Sequence, residues 1–265
     1  TYAKLKSIGM TAILNQLNLD TKSAPTAVVA FSVITYIVTL IFNGVNSAGG
    51  RFNVRKVSDN YRIRVTPPRF TFAIWGVIYT MVTVSLIEAA FAGSWSSVAH
   101  FIFAVSNVLN SLWIYVWCKG SRPAIVVATI ITFLMALNLF GMWTALENCH
   151  STGWMYYFHR NTFAIYLAWV VAATMVSIGI VLVRISQIIG DNAFVPIFFA
   201  VCPLIVVVAS LHIYNTEGIN GTKSSLGLWA ALAWALWGAS RSARGLNVYK
   251  DEEVTADEEM KPKSK

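Results

Sequence analysis

Three groups of side chains recur at helical spacing in this sequence and could bind a flat, apolar molecule. The first group follows Pro67 and Pro68, where Phe72, Trp75 and Tyr79 stand three and four residues apart. Residues at that spacing share one face of a helix, so we expect an aromatic wall that faces the helical bundle. Such rings stack on planar apolar ligands. An aromatic belt at the membrane surface is the alternative, but Trp75 and Tyr79 would lie progressively deeper than a belt.

Two further groups lie in other apolar runs. They are Asn107, Asn110 and Trp113, then Tyr166 and Trp169. The amides are deep in a segment where hydrocarbon would offer no hydrogen-bond partner. They could therefore contact a ligand, or they could hydrogen-bond between helices, with Asn43 or Asn138 as partners. The sequence leaves both interpretations open.

The motifs of the common enzyme classes are absent from the sequence. Four histidines and three cysteines are scattered without the spacing of zinc or haem ligands. A nucleophile elbow, a phosphate-binding loop and a dinucleotide-binding motif in its structural context are likewise missing. A retinal protein would need a lysine in its last span, and residues 224–240 contain none. We therefore expect no enzyme and no metal, while Pro196 and Pro203 leave a transporter with a broken sixth span open.

The chain that must position these groups is too apolar for a water-soluble domain. Of its 265 residues, 56% are hydrophobic and only 12% are charged, against roughly 25% charged residues in soluble domains. A helix that crosses a hydrocarbon core of about 30 Å needs roughly 20 apolar residues. Seven such runs occur: 24–45, 70–92, 98–118, 123–146, 162–183, 193–214 and 224–240. The sequence therefore predicts an all-α, multi-pass integral membrane protein with a seven-helix bundle at 24–245, the seventh span being the shortest.

The formal net charge of +8 predicts membrane orientation and not a nucleic-acid partner, because the basic residues fall between the apolar runs. Eleven lie on one side of the predicted bundle and five on the other. The first set is Arg51, Arg55, Lys56, Arg62, Arg64, Arg69, Lys119, Arg122, Arg184, Arg241 and Arg244; the second is Lys4, Lys6, Lys22, Arg160 and Lys223. We expect residues 51–69 to face the compartment that retains positive charge, and residues 215–223 to face away.

The two ends of the chain differ in character from the bundle. Residues 1–23 place apolar side chains on one helical face between lysines, which predicts a short segment in the membrane interface. Residues 246–265 are rich in charges and poor in apolar side chains, which predicts a flexible tail or one held by a partner. The chain begins at Thr1, so removal of a targeting segment on import into an organelle membrane is a hypothesis.

Glu88 is the one formal charge well inside a predicted span. It stands about one turn from the end of the second run, and a carboxylate there can reach the interface at modest cost. We therefore expect that Glu88 is not a buried catalytic acid and that Glu88→Gln is tolerated.

The residues together carry a resemblance to a known family. The segment Pro67 to Tyr79, in which Phe72, Trp75 and Tyr79 follow two prolines, resembles a signature of the tryptophan-rich sensory protein, or translocator protein (TspO/MBR), family. Asn107 to Trp113 and Tyr166 to Thr174 resemble two further segments of that family, in the same order along the chain. The resemblance covers about residues 24–185, which would form a five-helix core with two additional C-terminal transmembrane helices.

The resemblance implies a cavity for flat hydrophobic ligands, tetrapyrroles and sterols in particular, beneath the connection 46–69. Trp75 and Trp169 stand at the family's cavity tryptophans, and Arg69 could meet acidic ligand groups. Phe70 stands where the family often has Trp, so the resemblance implies binding and not porphyrin photochemistry. The partners would be the lipid bilayer and a planar small molecule. The other hypothesis is a non-catalytic accessory subunit of a larger membrane complex, whose cavity is filled by lipid or side chains.

Overall fold

A computed structural model describes residues 24–47 and 54–245. These residues form helices and no strand, which confirms the predicted all-α fold. The helices are α1 (Thr26–Ser47), α2 (Val54–Asn60), α3 (Ile74–Ala92), α4 (Ser97–Trp117), α5 (Arg122–Ala145), α6 (Trp154–Ile180), α7 (Asp191–Glu217), α8 (Ile219–Ser224) and α9 (Leu226–Ala243). A 3-10 turn precedes α3 (Arg69–Ala73), another follows α5 (Leu146–Asn148), and a π-helical turn follows α6 (Val181–Ile185).

Within the described ranges, six helical segments are long and apolar enough to cross a membrane. They are Thr26–Val45, Arg69–Ala92, Ser97–Trp117, Arg122–Asn148, Trp154–Ile185 and Asp191–Glu217, and they match the first six predicted spans. The seventh, α9, has 18 residues, and it is less apolar because it contains three tryptophans and Arg241. The arrangement of five core helices plus two C-terminal spans therefore stays a prediction.

α6 is the central helix of the bundle. Its backbone closely approaches α3, α5, α7 and α9, while α4 packs between α1 and α5. Close approach depends on small residues, since hydrophobic burial does not drive helices together in lipid. At Gly227 of α9, an added Cβ would lie 2.6 Å from the carbonyl oxygen of Asn161 on α6. Glycine therefore sets the distance between these two helices.

The connections meet at two ends of the bundle, as alternating spans require. At one end, the Tyr61 hydroxyl donates to the Gly120 carbonyl (2.8 Å), and Arg64 Nη2 donates to the Ala243 carbonyl (2.7 Å). We call it the basic end because it carries Arg62, Arg64, Arg69, Arg184 and Arg241. The compartment that it faces remains a prediction.

α9 runs alongside α6 from one end of the bundle to the other. Near its start, the Gly227 N–H donates to Asn161 Oδ1 (2.7 Å). Its last residue, Ala243, accepts the hydrogen bond from Arg64 at the basic end. The helix that the hydropathy pattern marks least clearly thus extends along the whole bundle.

The first connection packs over the basic end. Trp117 Nε1 donates to the Val54 carbonyl (3.3 Å), and Val57, Ile63 and Val65 are buried. Residues 48–53 of this connection lie outside the described residues. The same holds for the predicted interfacial segment 1–23 and the predicted tail 246–265.

One helix boundary differs from the prediction. α6 begins at Trp154 and not near residue 162, so Arg160 lies inside a helix and not in a connection. The physical reason is charge pairing, since the buried Arg160 guanidinium forms an ion pair with Glu217. Arginine ends an apolar run but not an α-helix, and a charge that is paired with a distant carboxylate can be buried inside the bundle.

Candidate ligand-binding site

Five aromatic side chains meet where α3 and its preceding turn pack against α6. We call them the aromatic cluster: Phe72, Trp75, Tyr79, Tyr166 and Trp169. Trp75 stacks on Tyr79 with ring centroids 5.4 Å apart and an interplanar angle of 23°. Edge-on contacts join Trp75 to Tyr166 (5.7 Å) and Phe72 to Trp169 (5.7 Å). The structure therefore brings together the predicted residues of the first and third groups.

The aromatic cluster is closed on the side of α6 and more open on the side of α3. Tyr166 and Trp169 are 2% and 3% exposed, whereas Phe72 is 40% exposed and both Trp75 and Tyr79 are half-buried. The α6 rings are fixed in position because neighbouring helices pack against them. The α3 rings are the surface that an apolar molecule could reach from the bilayer.

The predicted amides form hydrogen bonds between helices. Asn110 Nδ2 donates to the Tyr166 hydroxyl (2.8 Å), and Asn43 Nδ2 donates to Asn110 Oδ1 (3.3 Å). Asn107 Nδ2 donates to Thr35 Oγ1 (3.4 Å). Hydrogen bonding between helices, one of the two interpretations from the sequence, is thereby confirmed for both amides. A ligand contact of either amide remains a prediction.

Two donors, one in the aromatic cluster and one on α4, have no hydrogen-bond partner in the described structure. They are the Tyr79 hydroxyl, which lies close to Asn43 and Asn110, and the Trp113 indole N–H. A buried donor without a partner costs about 1–3 kcal/mol. An indole N–H can only donate, so the missing partner of Trp113 is an acceptor. A carbonyl, ether or carboxylate oxygen is an acceptor of the kind that each group lacks.

Arg69 lies at the basic end and is the first residue of the turn that carries Phe72. Its Nη2 lies 3.1 Å from Asp59 Oδ2, and both side chains are partly exposed. Exposed ion pairs contribute about 0–1 kcal/mol, so an acidic ligand group could compete with Asp59 at small cost. The predicted role of Arg69 in binding remains a prediction.

The last helix braces the turn that carries Phe72, which sequence reasoning missed. Trp234 Nε1 of α9 donates to the Thr71 carbonyl (2.8 Å), and the Phe70 ring lies 5.1 Å from that of Trp237. A Cβ at Gly238 would lie 2.4 Å from Thr71 Cγ2. The available signal was the pattern of three tryptophans and a glycine in the seventh run, which a five-helix resemblance does not cover.

The expectation for Glu88 requires correction. Its carboxylate accepts hydrogen bonds from Ser94 (2.5 Å) and Ser151 (3.0 Å) and lies 2.8 Å from His159 Nε2. With these partners inside the chain, Glu88→Gln is no longer expected to be neutral. Across the part of the chain that the structure describes, no three His, Cys, Asp or Glu side chains form a group that could hold a metal ion.

Comparison with known proteins identifies the family. The family model of the TSPO-like proteins matches residues 28–245, a range that includes nearly all of α1 and every later helix. Searches of curated proteins and of solved structures found no match. The family match and the six apolar helices show an integral, multi-pass membrane protein and confirm the resemblance in the sequence. The chain belongs to the TSPO-like protein family.

Proposed function

We propose that the protein binds a planar apolar molecule of the tetrapyrrole or sterol class at the aromatic cluster, without catalytic turnover. The contact of Trp75 and Tyr79 of α3 with Tyr166 and Trp169 of α6 is the main support. In this cluster the α6 rings are buried and the α3 rings are partly accessible. A flat molecule can therefore replace lipid against Trp75 without unfolding the bundle. Stacking of this kind contributes about 0.5–1.5 kcal/mol per ring pair beyond area burial.

The unpartnered donors support a ligand that also carries oxygen. Its acceptor would point towards the Tyr79 hydroxyl or, on α4, towards the Trp113 indole N–H, and neither group has a partner among the described residues. Carboxylate groups, if present, would point towards Arg69 at the basic end. A tetrapyrrole with propionates meets both requirements, and a sterol hydroxyl meets only the first.

Titration with protoporphyrin, followed by quenching of tryptophan fluorescence in detergent, tests the proposal. Trp75→Leu keeps an apolar side chain and removes the stacking face, so we expect about fivefold weaker binding, the equivalent of about 1 kcal/mol. Trp154→Leu is the matched control, because Trp154 is 71% exposed and lies outside the aromatic cluster. Equal dissociation constants for the two variants would overturn the proposed site.

Tyr79→Phe tests the polar part of the site. The substitution removes a buried hydroxyl that has no partner, so thermal stability without ligand should stay equal or rise. Binding of a ligand that accepts a hydrogen bond from this hydroxyl should weaken. If binding is unchanged, the hydroxyl does not point at the ligand.

The accessory-subunit function stays the second candidate, because the chain's own side chains satisfy part of the site. Asn110 and Tyr166 are bonded to each other, and Trp169 is 3% exposed. A filled site of this kind suits a structural subunit. Isolation from native membranes in mild detergent distinguishes the two: a fixed complex that binds no porphyrin supports the subunit function, and a separate chain that binds porphyrin supports the first proposal.

A further inference from the structure

A second polar cluster lies at the end of the bundle opposite the basic end, centred on His159 of α6. The imidazole is fully buried. Its Nε2 lies 2.8 Å from Glu88 Oε2 and 3.0 Å from Ser151 Oγ, and its Nδ1 is hydrogen-bonded to Ser85 Oγ. Ionisable side chains inside a membrane bundle are costly and in general mark functional positions.

A serine, a histidine and a carboxylate in one hydrogen-bonded chain also form the catalytic set of serine hydrolases. Burial argues against that chemistry here. Ser85 is fully buried between α3 and α6, so no substrate carbonyl can reach its Oγ. The group that can travel through such a chain is a proton.

The hydrogen bonds around His159 indicate which tautomer its neutral imidazole adopts. Glu88 accepts from Ser94 and Ser151, an arrangement that stabilises a carboxylate anion. His159 then donates its Nε2 proton to Glu88. Its Nδ1 is left as the acceptor for the Ser85 hydroxyl. The basic nitrogen that can still take a proton is therefore Nδ1.

We infer that His159 is a proton-binding site, accessible from the end of the bundle opposite the basic end, at which the imidazolium pairs with Glu88. On protonation, Nδ1 donates to Ser85 Oγ, and the Ser85 hydroxyl turns to a carbonyl of the preceding helical turn, a bond that serines in helices commonly form. No helix has to move. Glu88, 22% exposed in its side chain, and the half-buried Ser151 link His159 to water.

Other titratable groups surround this cluster without touching the imidazole. They are His100, on the far side of the Trp95 ring; Cys149, near Glu88; the exposed His150; and Arg160 with Glu147 and Glu217. The Arg160 charge is compensated by its own carboxylates. Glu88 is therefore the charged group in direct contact with His159.

Nitrogen-15 NMR of the intact chain, labelled at histidine, tests the inference, because the sequence has only four histidines. At about pH 8 we expect the His159 tautomer that carries its proton on Nε2, and on acidification towards about pH 4 we expect a doubly protonated ring. Glu88→Gln should lower the midpoint of this transition by about one pH unit or more, because the paired anion is lost. Glu147→Gln, a carboxylate beside Arg160, is the matched control and should leave the midpoint in place.

Two results would overturn the inference. One is a wild-type His159 that stays neutral over the whole range while the bundle remains folded, as judged by circular dichroism. The other is an equal midpoint in Glu88→Gln and Glu147→Gln. If Glu88→Gln does not fold, the wild-type titration alone decides. The experiment involves no ligand at the aromatic cluster, so its outcome is independent of the proposed function.

Discussion

The fully buried guanidinium of Arg160 on α6 forms an ion pair with the Glu217 carboxylate on α7, although 57 residues separate them. The same guanidinium donates to the Trp143 carbonyl of α5 and lies 5.0 Å over the Trp143 ring. His159, the preceding residue, contacts Glu88 of α3. Two adjacent residues of the central helix thus join it to three other helices at one end of the bundle.

This relationship predicts that Arg160→Leu is strongly destabilising. It leaves the Glu217 carboxylate, 11% exposed, without its cation, and breaking a buried pair in this way costs about 3–5 kcal/mol. The measurement is thermal unfolding in detergent, followed by circular dichroism. Arg184→Leu is the control: Arg184 is 47% exposed and pairs with Asp191 at 3.4 Å, so we expect a loss of less than about 1 kcal/mol.

The double variant Arg160→Leu with Glu217→Gln separates loss of the pair from loss of packing. Removing the second charge should restore part of the stability, because no unpaired anion is then buried. A single variant as stable as wild type would show that the ion pair does not hold α6 and α7 together.

Glycine positions allow a second prediction, about the packing of α9. Gly227→Ala places a methyl group 2.6 Å from the Asn161 carbonyl oxygen, so the two helices must separate at a cost of roughly 1–3 kcal/mol. Gly141→Ala of α5 is matched in chemistry but meets no atom within 4 Å. There the substitution should stabilise the helix slightly. If both variants unfold at the same temperature, α9 is not packed against α6 in the membrane.

The native cysteines give a prediction of topology without introduced sites. Cys118 follows α4 and Cys149 follows α5, so a single span separates them. In sealed vesicles, an impermeant maleimide added outside should label one of them, and the other should react only after the vesicles are opened. Cys202 is buried and should remain unlabelled. Labelling of Cys118 and Cys149 from the same side would contradict the crossing of α5.

The reaction should also depend on pH. Burial raises the pKa of the Cys118 thiol and that of the Cys149 thiol. The thiolate is the form that reacts, so each thiol is less reactive at neutral pH than a free cysteine. Labelling should therefore accelerate as the pH rises towards each raised pKa, and Cys118→Ser and Cys149→Ser assign the two signals.

The spans could be predicted because apolar length is a local property of the sequence. The helical face of Phe72, Trp75 and Tyr79 was likewise visible, since three- and four-residue spacing fixes which side chains share a face. The start of α6 at Trp154 could not be predicted in this way. Arg160 looked like a residue of a connection, because its partner Glu217 lies far along the chain and an unpaired charge marks the limit of an apolar run.

The polar partners at both sites were only partly predictable. Asn43 could be suggested for Asn110 because both lie deep in apolar runs and must be satisfied. Glu88 could not be matched with His159, because a carboxylate near a helix end can reach water equally well. Whether Glu88 pairs with His159 or reaches water depends on how α3 and α6 are aligned, and the sequence pattern does not fix that alignment.

The bracing of the aromatic cluster by α9 leads to the last prediction. Trp234→Phe keeps an aromatic ring but removes the hydrogen bond to the Thr71 carbonyl, which should cost about 1 kcal/mol of stability. The turn that positions Phe72 against Trp169 is then held less firmly. Porphyrin binding should therefore weaken although Trp234 itself lies outside the cluster. Trp237→Phe is the control, since Trp237 is 45% exposed and only its ring contacts Phe70. The measurements are thermal unfolding and fluorescence titration of both variants. Equal unfolding temperatures and equal dissociation constants for the two variants would mean that α9 does not position the site.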